Sequence, residues 1–125
     1  MADTRRPCPC CGHLVFDLED GWPGSFAICP ICFWEDDAVQ FRWPDVEGGA
    51  NAVSLIDAQR NFRDFGACEQ RSRKHVRPPR ADEPVDPAWR PIDPAVDVFE
   101  EWDAPRRPWP ADRAQLCWWL NQPAE

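Results

Sequence analysis

The sequence lacks long apolar runs, and this absence bounds the class of protein. No stretch approaches the roughly 18 to 20 consecutive apolar residues that a transmembrane helix needs. Residues 1–9 also lack the apolar segment of a secretory signal. We therefore predict a cytoplasmic protein without a membrane association.

Positive charge is scarce and tyrosine is absent. Fourteen lysines and arginines stand against 22 aspartates and glutamates, so the formal net charge is −8 at pH 7. A protein whose whole surface follows a phosphate backbone needs the opposite balance. In place of tyrosine, eight tryptophans and seven phenylalanines supply large apolar side chains for a small core.

The chain is short and its composition is uneven. Its 125 residues suffice for one domain with an appendage, and two domains with full cores do not fit. Six of the seven cysteines precede residue 69, whereas nine of the 15 prolines lie within residues 78–110. We predict a cysteine-rich domain over residues 7–80 and a proline-rich, acidic, tryptophan-containing C-terminal extension over residues 81–125.

Two Cys-x2-Cys pairs, Cys8 with Cys11 and Cys29 with Cys32, are the strongest motif. Each such turn, or knuckle, can place two thiolates on one side of the backbone, about 2.3 Å from a shared Zn²⁺. Disulfides are disfavoured in the reducing cytosol, and an odd number of cysteines cannot all pair. The spacing predicts one structural zinc ion per chain, bound by these four cysteines with no open coordination position.

Other interpretations of the cysteines stay open. Cys-Pro-x-Cys also occurs as a redox motif, although that function expects a single copy within a larger βαβ frame. Buried thiols without a metal are a further alternative. Cys10 and His13 lie beside the first pair and are candidate alternative ligands.

The patterns around the cysteines predict a small α+β, zinc-ribbon-like domain. Residues 14–18 and 24–28 flank a turn signal, which predicts a β-hairpin between the two knuckles. Ser54 followed by Asp57 has the form of a capping box, and apolar residues recur at helical spacing until Gly66. We expect this single helix to cover the hairpin.

The extension carries signals for two short helices. Asp93 before Pro94 resembles a helix start, with apolar residues on one face as far as Trp102. A second helix is predicted over residues 111–121, and residues 105–110 read as a polyproline-like connector.

Our leading functional hypothesis is a non-catalytic, zinc-stabilised module that binds another protein, in an adaptor or toxin-neutralising role. Exposed aromatic side chains are typical anchors of such surfaces, and acidic ones complement a basic target. The sequence leaves the oligomeric state open. The candidate partner-binding residues are Trp34, Glu35, Asp36, Asp37, Phe99, Trp102, Trp109, Trp118 and Trp119.

Two alternative functions remain. The first is nucleic-acid binding by a basic strip consisting of Arg71, Arg73, Lys74, Arg77 and Arg80. The second is a hydrolase that binds a second metal through the acidic run Glu35–Asp37. Adjacent acids point in different directions, and no nucleophile motif such as Gly-x-Ser-x-Gly is present. We therefore expect no catalytic residues.

A series of motifs in order also resembles a known family. The motifs are Cys8-Pro-Cys-Cys-Gly12, Ile28-Cys-Pro-Ile-Cys-Phe-Trp-Glu-Asp-Asp37, Gly48-Gly-Ala-Asn51, Ser54-Leu55, Asn61-Phe62 and Phe65-Gly66. From Pro7 to about Pro78 the chain resembles the bacterial cysteine-rich CPCC domain family. The resemblance implies a small domain of zinc-binding type and leaves its activity open.

Overall fold

The computed structural model describes residues 5–104 and 107–120, apart from the side chain of Leu18. Two short antiparallel strands and two α-helices form the regular structure: β1 Arg5–Pro7, β2 Leu14–Asp17, α1 Ala38–Arg42 and α2 Leu55–Phe65. Four short 3₁₀ helices span Leu18–Asp20, Gln70–His75, Arg113–Leu116 and Trp118–Leu120. The fold is therefore small and α+β, as predicted. Within the described ranges, no helix is both long and apolar enough to cross a bilayer.

The β-hairpin surrounds the first knuckle. β1 pairs antiparallel with β2, with Arg5 opposite Asp17, and the Cys8–Cys11 turn connects the two strands. The prediction that residues 14–18 pair with residues 24–28 was wrong, because β2 takes its partner from before the knuckle. A second, isolated antiparallel bridge joins Ile28 to Glu35 around the other knuckle. Each cysteine pair thus lies in the turn between two short, antiparallel backbone segments.

Helix α2 agrees with its sequence signals. The Ser54 hydroxyl accepts a hydrogen bond from the Asp57 N–H at 3.1 Å, which satisfies one of the free amides of the first turn. Gly66 ends the helix in the left-handed conformation, with φ of 81°. Leu55, Ala58 and Gln59 are the buried residues of the helix.

Helix α1 was not predicted, because its five residues are too few to show a helical period. It begins because the Asp37 carboxylate accepts hydrogen bonds from the N–H groups of Val39 and Gln40. It ends at Trp43, directly before Pro44, where proline disfavours a helical residue in front of it. The helix places Gln40 and Phe41 in the core.

The extension shares the core of the cysteine-rich region. Ile92, Cys117 and Trp118 are buried in the same cluster as the four knuckle cysteines. Residues beyond 83 therefore pack against the domain.

The first helix predicted in the extension does not form, and the second is present only as short 3₁₀ helices. After Asp93 the chain makes one turn and then extends. The Asp97 carboxylate ends this turn, because it accepts a hydrogen bond from the Asp93 N–H at 2.7 Å and two from the Arg90 guanidinium, also at 2.7 Å. In the second segment, two 3₁₀ helices replace the predicted α-helix and Cys117 separates them. Asn121 and residues 105 and 106 of the connector lie outside the described residues.

The Ser54 cap gives a direct test of the α2 assignment. We expect Ser54→Ala to lower the free energy of unfolding by about 1 kcal/mol, since the Asp57 N–H loses its acceptor. Ser54→Thr keeps a hydroxyl at the same position and serves as the matched control, with a smaller loss. Urea unfolding followed by circular dichroism measures both, and equal losses would show that the cap does not stabilise the helix.

Candidate metal centre

The two knuckles have the same backbone hydrogen bonds. In each, the N–H of the first cysteine donates to the carbonyl five residues later, at 2.9 Å for both Cys8 and Cys29. The N–H of the residue after the second cysteine donates to the carbonyl of the first cysteine. That residue has a positive φ, 81° at Gly12 and 72° at Phe33. Glycine adopts this conformation without strain, whereas phenylalanine does so at a cost. The surrounding structure therefore holds Phe33 in a conformation that its own preference disfavours.

The four knuckle cysteines bring their sulfur atoms together in one buried cluster. The Sγ atoms of Cys8 and Cys32 are 3.5 Å apart, those of Cys11 and Cys29 are 3.8 Å apart, and all four lie within 4.8 Å of one another. Thiolates bound about 2.3 Å from one tetrahedral Zn²⁺ are about 3.8 Å apart, whereas the sulfurs of a disulfide are about 2.05 Å apart. None of the four residues is more than 4% exposed. The spacing fits a shared metal ion and not disulfides.

The protonation of the cluster also favours a cation. Burial raises the pKa of Cys8 and Cys32 well above the ordinary value. Burial acts in the same direction on Cys29, but hydrogen bonds from the other three thiols outweigh it and hold its pKa well below the ordinary value. Burial thus favours protons on Cys8 and Cys32, beside the thiolate that hydrogen bonds favour at Cys29. A metal ion takes the place of those protons and neutralises the buried negative charge.

The donor set fits a structural metal. Within residues 5–104 and 107–120, this is the only close group of three or more cysteine, histidine, aspartate or glutamate ligand atoms. Four sulfur donors suit a soft or borderline metal such as zinc in tetrahedral coordination. Four protein ligands also fill such a site, so no position is left for water or substrate.

Cys10 and His13 are outside the cluster. Cys10 is buried, 1% exposed, but the close group of sulfurs does not include it. Nδ1 of His13 lies 2.7 Å from the Glu83 carbonyl oxygen, and since a carbonyl only accepts, the imidazole donates. The structure thus gives His13 a hydrogen-bonding partner away from the four sulfurs.

The two remaining cysteines, Cys68 and Cys117, are buried thiols. Burial raises the pKa of each to about 12. A thiol that stays protonated at neutral pH is a poor nucleophile, and neither residue belongs to the close group of four sulfurs. These residues contribute to packing.

The acidic run Glu35–Asp37 does not form a second metal site. Asp36 accepts hydrogen bonds from the N–H and hydroxyl of Ser25, at 2.8 and 2.7 Å. Asp37 caps α1, and the backbone of Glu35 pairs with the side chain of Asn51. The carboxylates of Asp36 and Asp37 therefore serve separate structural contacts, and the hydrolase alternative stays a prediction.

Several residues predicted to bind a partner are in the core. Trp34 and Asp36 are 0% exposed, Trp118 is 3% exposed and Asp37 is 6% exposed, so the prediction of a contact surface at these four positions is corrected. Trp102 and Trp109 are exposed. The three remaining candidates, which are partly exposed, are Glu35, Phe99 and Trp119.

The basic strip is partly neutralised within the chain. Arg77 forms two hydrogen bonds with the Glu83 carboxylate, at 2.7 and 2.8 Å, and this pairing lowers the pKa of Glu83 to about 2. Arg71 donates a hydrogen bond from Nε to the Glu69 carboxylate. Arg73, Lys74 and Arg80 are the exposed members of the strip that form no ion pair with any residue in the described part of the chain. The strip therefore presents less positive charge than its sequence suggests.

Asn51 and Gln40 have structural roles that the sequence analysis did not predict. The Asn51 amide pairs with both backbone groups of Glu35 at 2.8 Å, as a neighbouring strand would. Two amides of the glycine-rich loop donate to side chains, that of Ala50 to Asp37 and that of Asn51 to Gln40. Gly49 is required here because a Cβ would lie 2.7 Å from the Asp37 carboxylate. The glycine-rich loop thus stabilises the second knuckle.

These observations define a small α+β domain built around a four-cysteine cluster that can hold a metal ion. Residues 6–83 match the sequence profile of the family described as cysteine-rich CPCC. Because the match covers more than half of the chain, the chain belongs to this family, as the resemblance predicted. A comparison with curated proteins finds no match.

Proposed function

We propose that the chain is a zinc-stabilised, non-catalytic module that binds another protein in the cytoplasm. The closed set of four buried thiols carries this proposal. A zinc ion with four protein ligands stabilises a fold and has no position at which to activate water. One zinc per chain is expected, with Cys8, Cys11, Cys29 and Cys32 as ligands.

The exposed tryptophans of the extension are the proposed partner-binding residues. Trp102 and Trp109 are 39% and 44% exposed, and each packs edge-to-face on the buried Trp43, with ring centroids 4.9 and 5.7 Å apart. Aromatic side chains that are already fixed lose little conformational entropy on binding. The neighbouring Glu101 and Asp103 are exposed acids. This combination supports a basic protein partner, as an adaptor or toxin-neutralising role requires.

A charge-reversal experiment tests the binding surface. The double variant Glu101→Lys with Asp103→Lys should lower recovery of the partner at least about tenfold, because like charges then face each other. The control, Glu47→Lys with Asp64→Lys, changes the net charge equally at two exposed acids outside the extension. Affinity capture with quantitative mass spectrometry measures recovery, and zinc content is determined in every sample.

Two results would contradict this proposal. Equal recovery by both double variants would exclude the acidic and aromatic surface as the interface. Recovery that is lost after nuclease treatment would instead favour nucleic-acid binding by the basic strip.

A further inference from the structure

A segment of the extension lies directly across the first knuckle. We name residues 83–92 the knuckle strap. The Asp86 N–H donates to the Gly12 carbonyl, and the Leu14 N–H donates to the Pro84 carbonyl, both at 2.9 Å. The strap thereby bonds to the backbone on the C-terminal side of the first cysteine pair.

The aromatic ring of Trp89 packs on the knuckle itself. A Cβ placed on Gly12 would lie 2.3 Å from Cε3 and 2.6 Å from Cδ2 of Trp89. The indole is therefore in contact with the residue that follows the ligand Cys11. Only a glycine at position 12 permits an approach this close.

The far end of the strap is anchored through α2. The Gln59 side chain, 5% exposed, donates from Nε2 to the Pro9 carbonyl inside the knuckle at 2.9 Å. Its Oε1 accepts from the Ile92 N–H at 2.9 Å. One buried amide therefore connects the interior of the first knuckle to the end of the strap.

The strap is also distinct from the rest of the domain in its sequence. The family match ends at Glu83, where the strap begins, so residues 84–92 lie outside the matched region. Arg77 holds the Glu83 carboxylate, and His13 donates to its carbonyl. The first residue of the strap is fixed to the domain, and the remainder lies beyond the matched region.

We infer that the knuckle strap controls the exchange of the bound metal. This inference rests on the proposed zinc site. A chelator or competing thiol removes zinc only by reaching a ligand sulfur, and Cys11, at 4%, is the most exposed of the four. The strap covers the backbone beside Cys11 through a few contacts, which can open locally without unfolding the whole domain. Local opening of the strap then limits the rate of zinc transfer.

Transfer of zinc to a colorimetric chelator tests this inference in the full chain. For the unsubstituted protein, the rate should reach a plateau as chelator concentration rises, because strap opening becomes limiting. Trp89→Leu should transfer zinc at least about tenfold faster, with a rate that keeps rising with chelator concentration. Phe26→Leu changes an exposed aromatic residue outside the strap and should keep the plateau of the unsubstituted protein.

A matched pair of glycine variants gives a second test. Gly12 and Gly66 both have φ of 81°, so alanine at either position carries the same kind of backbone strain. Only at Gly12 would the added Cβ displace Trp89, since nothing lies within 4 Å of the one at Gly66. Gly12→Ala should therefore accelerate transfer, and Gly66→Ala should not. If Gly12→Ala does not fold, the Trp89→Leu variant decides.

The outcomes separate the inference from the proposed function. A purified chain that binds no zinc would overturn both. A chain that binds one zinc ion but transfers it equally fast with and without Trp89 would overturn only the role of the strap.

Discussion

Removal of the metal is expected to unfold the cysteine-rich domain. The strands have only three and four residues, and α2 is the only α-helix longer than five residues among the residues that the structure describes. The four cysteines belong to the buried core cluster, so a metal bound there would join segments that have little regular structure of their own. Structural zinc contributes about 10 to 16 kcal/mol of binding free energy at neutral pH, whereas a small domain is stable by only about 5 to 15 kcal/mol. The metal-free chain should therefore be unfolded.

The measurement is a chelator titration of the purified full chain. Metal analysis should give one zinc per chain, and circular dichroism should show the loss of structure as zinc is removed and its return when zinc is added. Cys29→Ser should lose both zinc and fold, because one of the four sulfur donors is missing. Cys117→Ser changes a buried thiol outside the cluster and should keep the zinc. A metal-free chain with an unchanged spectrum would show that packing alone suffices.

Local signals in the sequence identified part of this centre. The spacing of the cysteines predicted which four would meet, since each knuckle depends on residues that are adjacent along the chain. The cap at Ser54 and the left-handed Gly66 bounded α2 for the same reason. These features require no knowledge of distant partners.

Contacts between distant residues account for the errors. β2 could pair on either side along the sequence, and only the completed structure pairs it with β1, before the knuckle. In the extension, the bond between Arg90 and Asp97 ends a turn that the local pattern would continue as a helix. The contact of Trp89 with Gly12 joins residues 77 positions apart, and no local pattern indicates it.

Gln40→Glu should be among the most destabilising single substitutions outside the cysteines. The Gln40 side chain is fully buried, and its Nε2 donates to the carbonyls of Val46, Asn51 and Val53 at 3.0 to 3.1 Å. Its Oε1 accepts from the backbone and side chain of Asn51. A carboxyl group offers at most one hydrogen to these three carbonyls. We expect a loss of at least about 3 kcal/mol in the free energy of unfolding.

The pH dependence distinguishes this effect from a general loss of packing. A buried carboxyl facing carbonyl oxygens stays protonated, whereas in the unfolded chain it ionises above about pH 4.3. Folding then takes up a proton, so the destabilisation relative to glutamine should grow with rising pH, by up to about 1.4 kcal/mol per unit. Urea unfolding of zinc-loaded protein between pH 6.5 and 8.5 measures it, with exposed Gln115→Glu as the control. Equal stability of the Gln40→Glu and Gln115→Glu variants would show that the Gln40 amide does not hold the loop around the second knuckle.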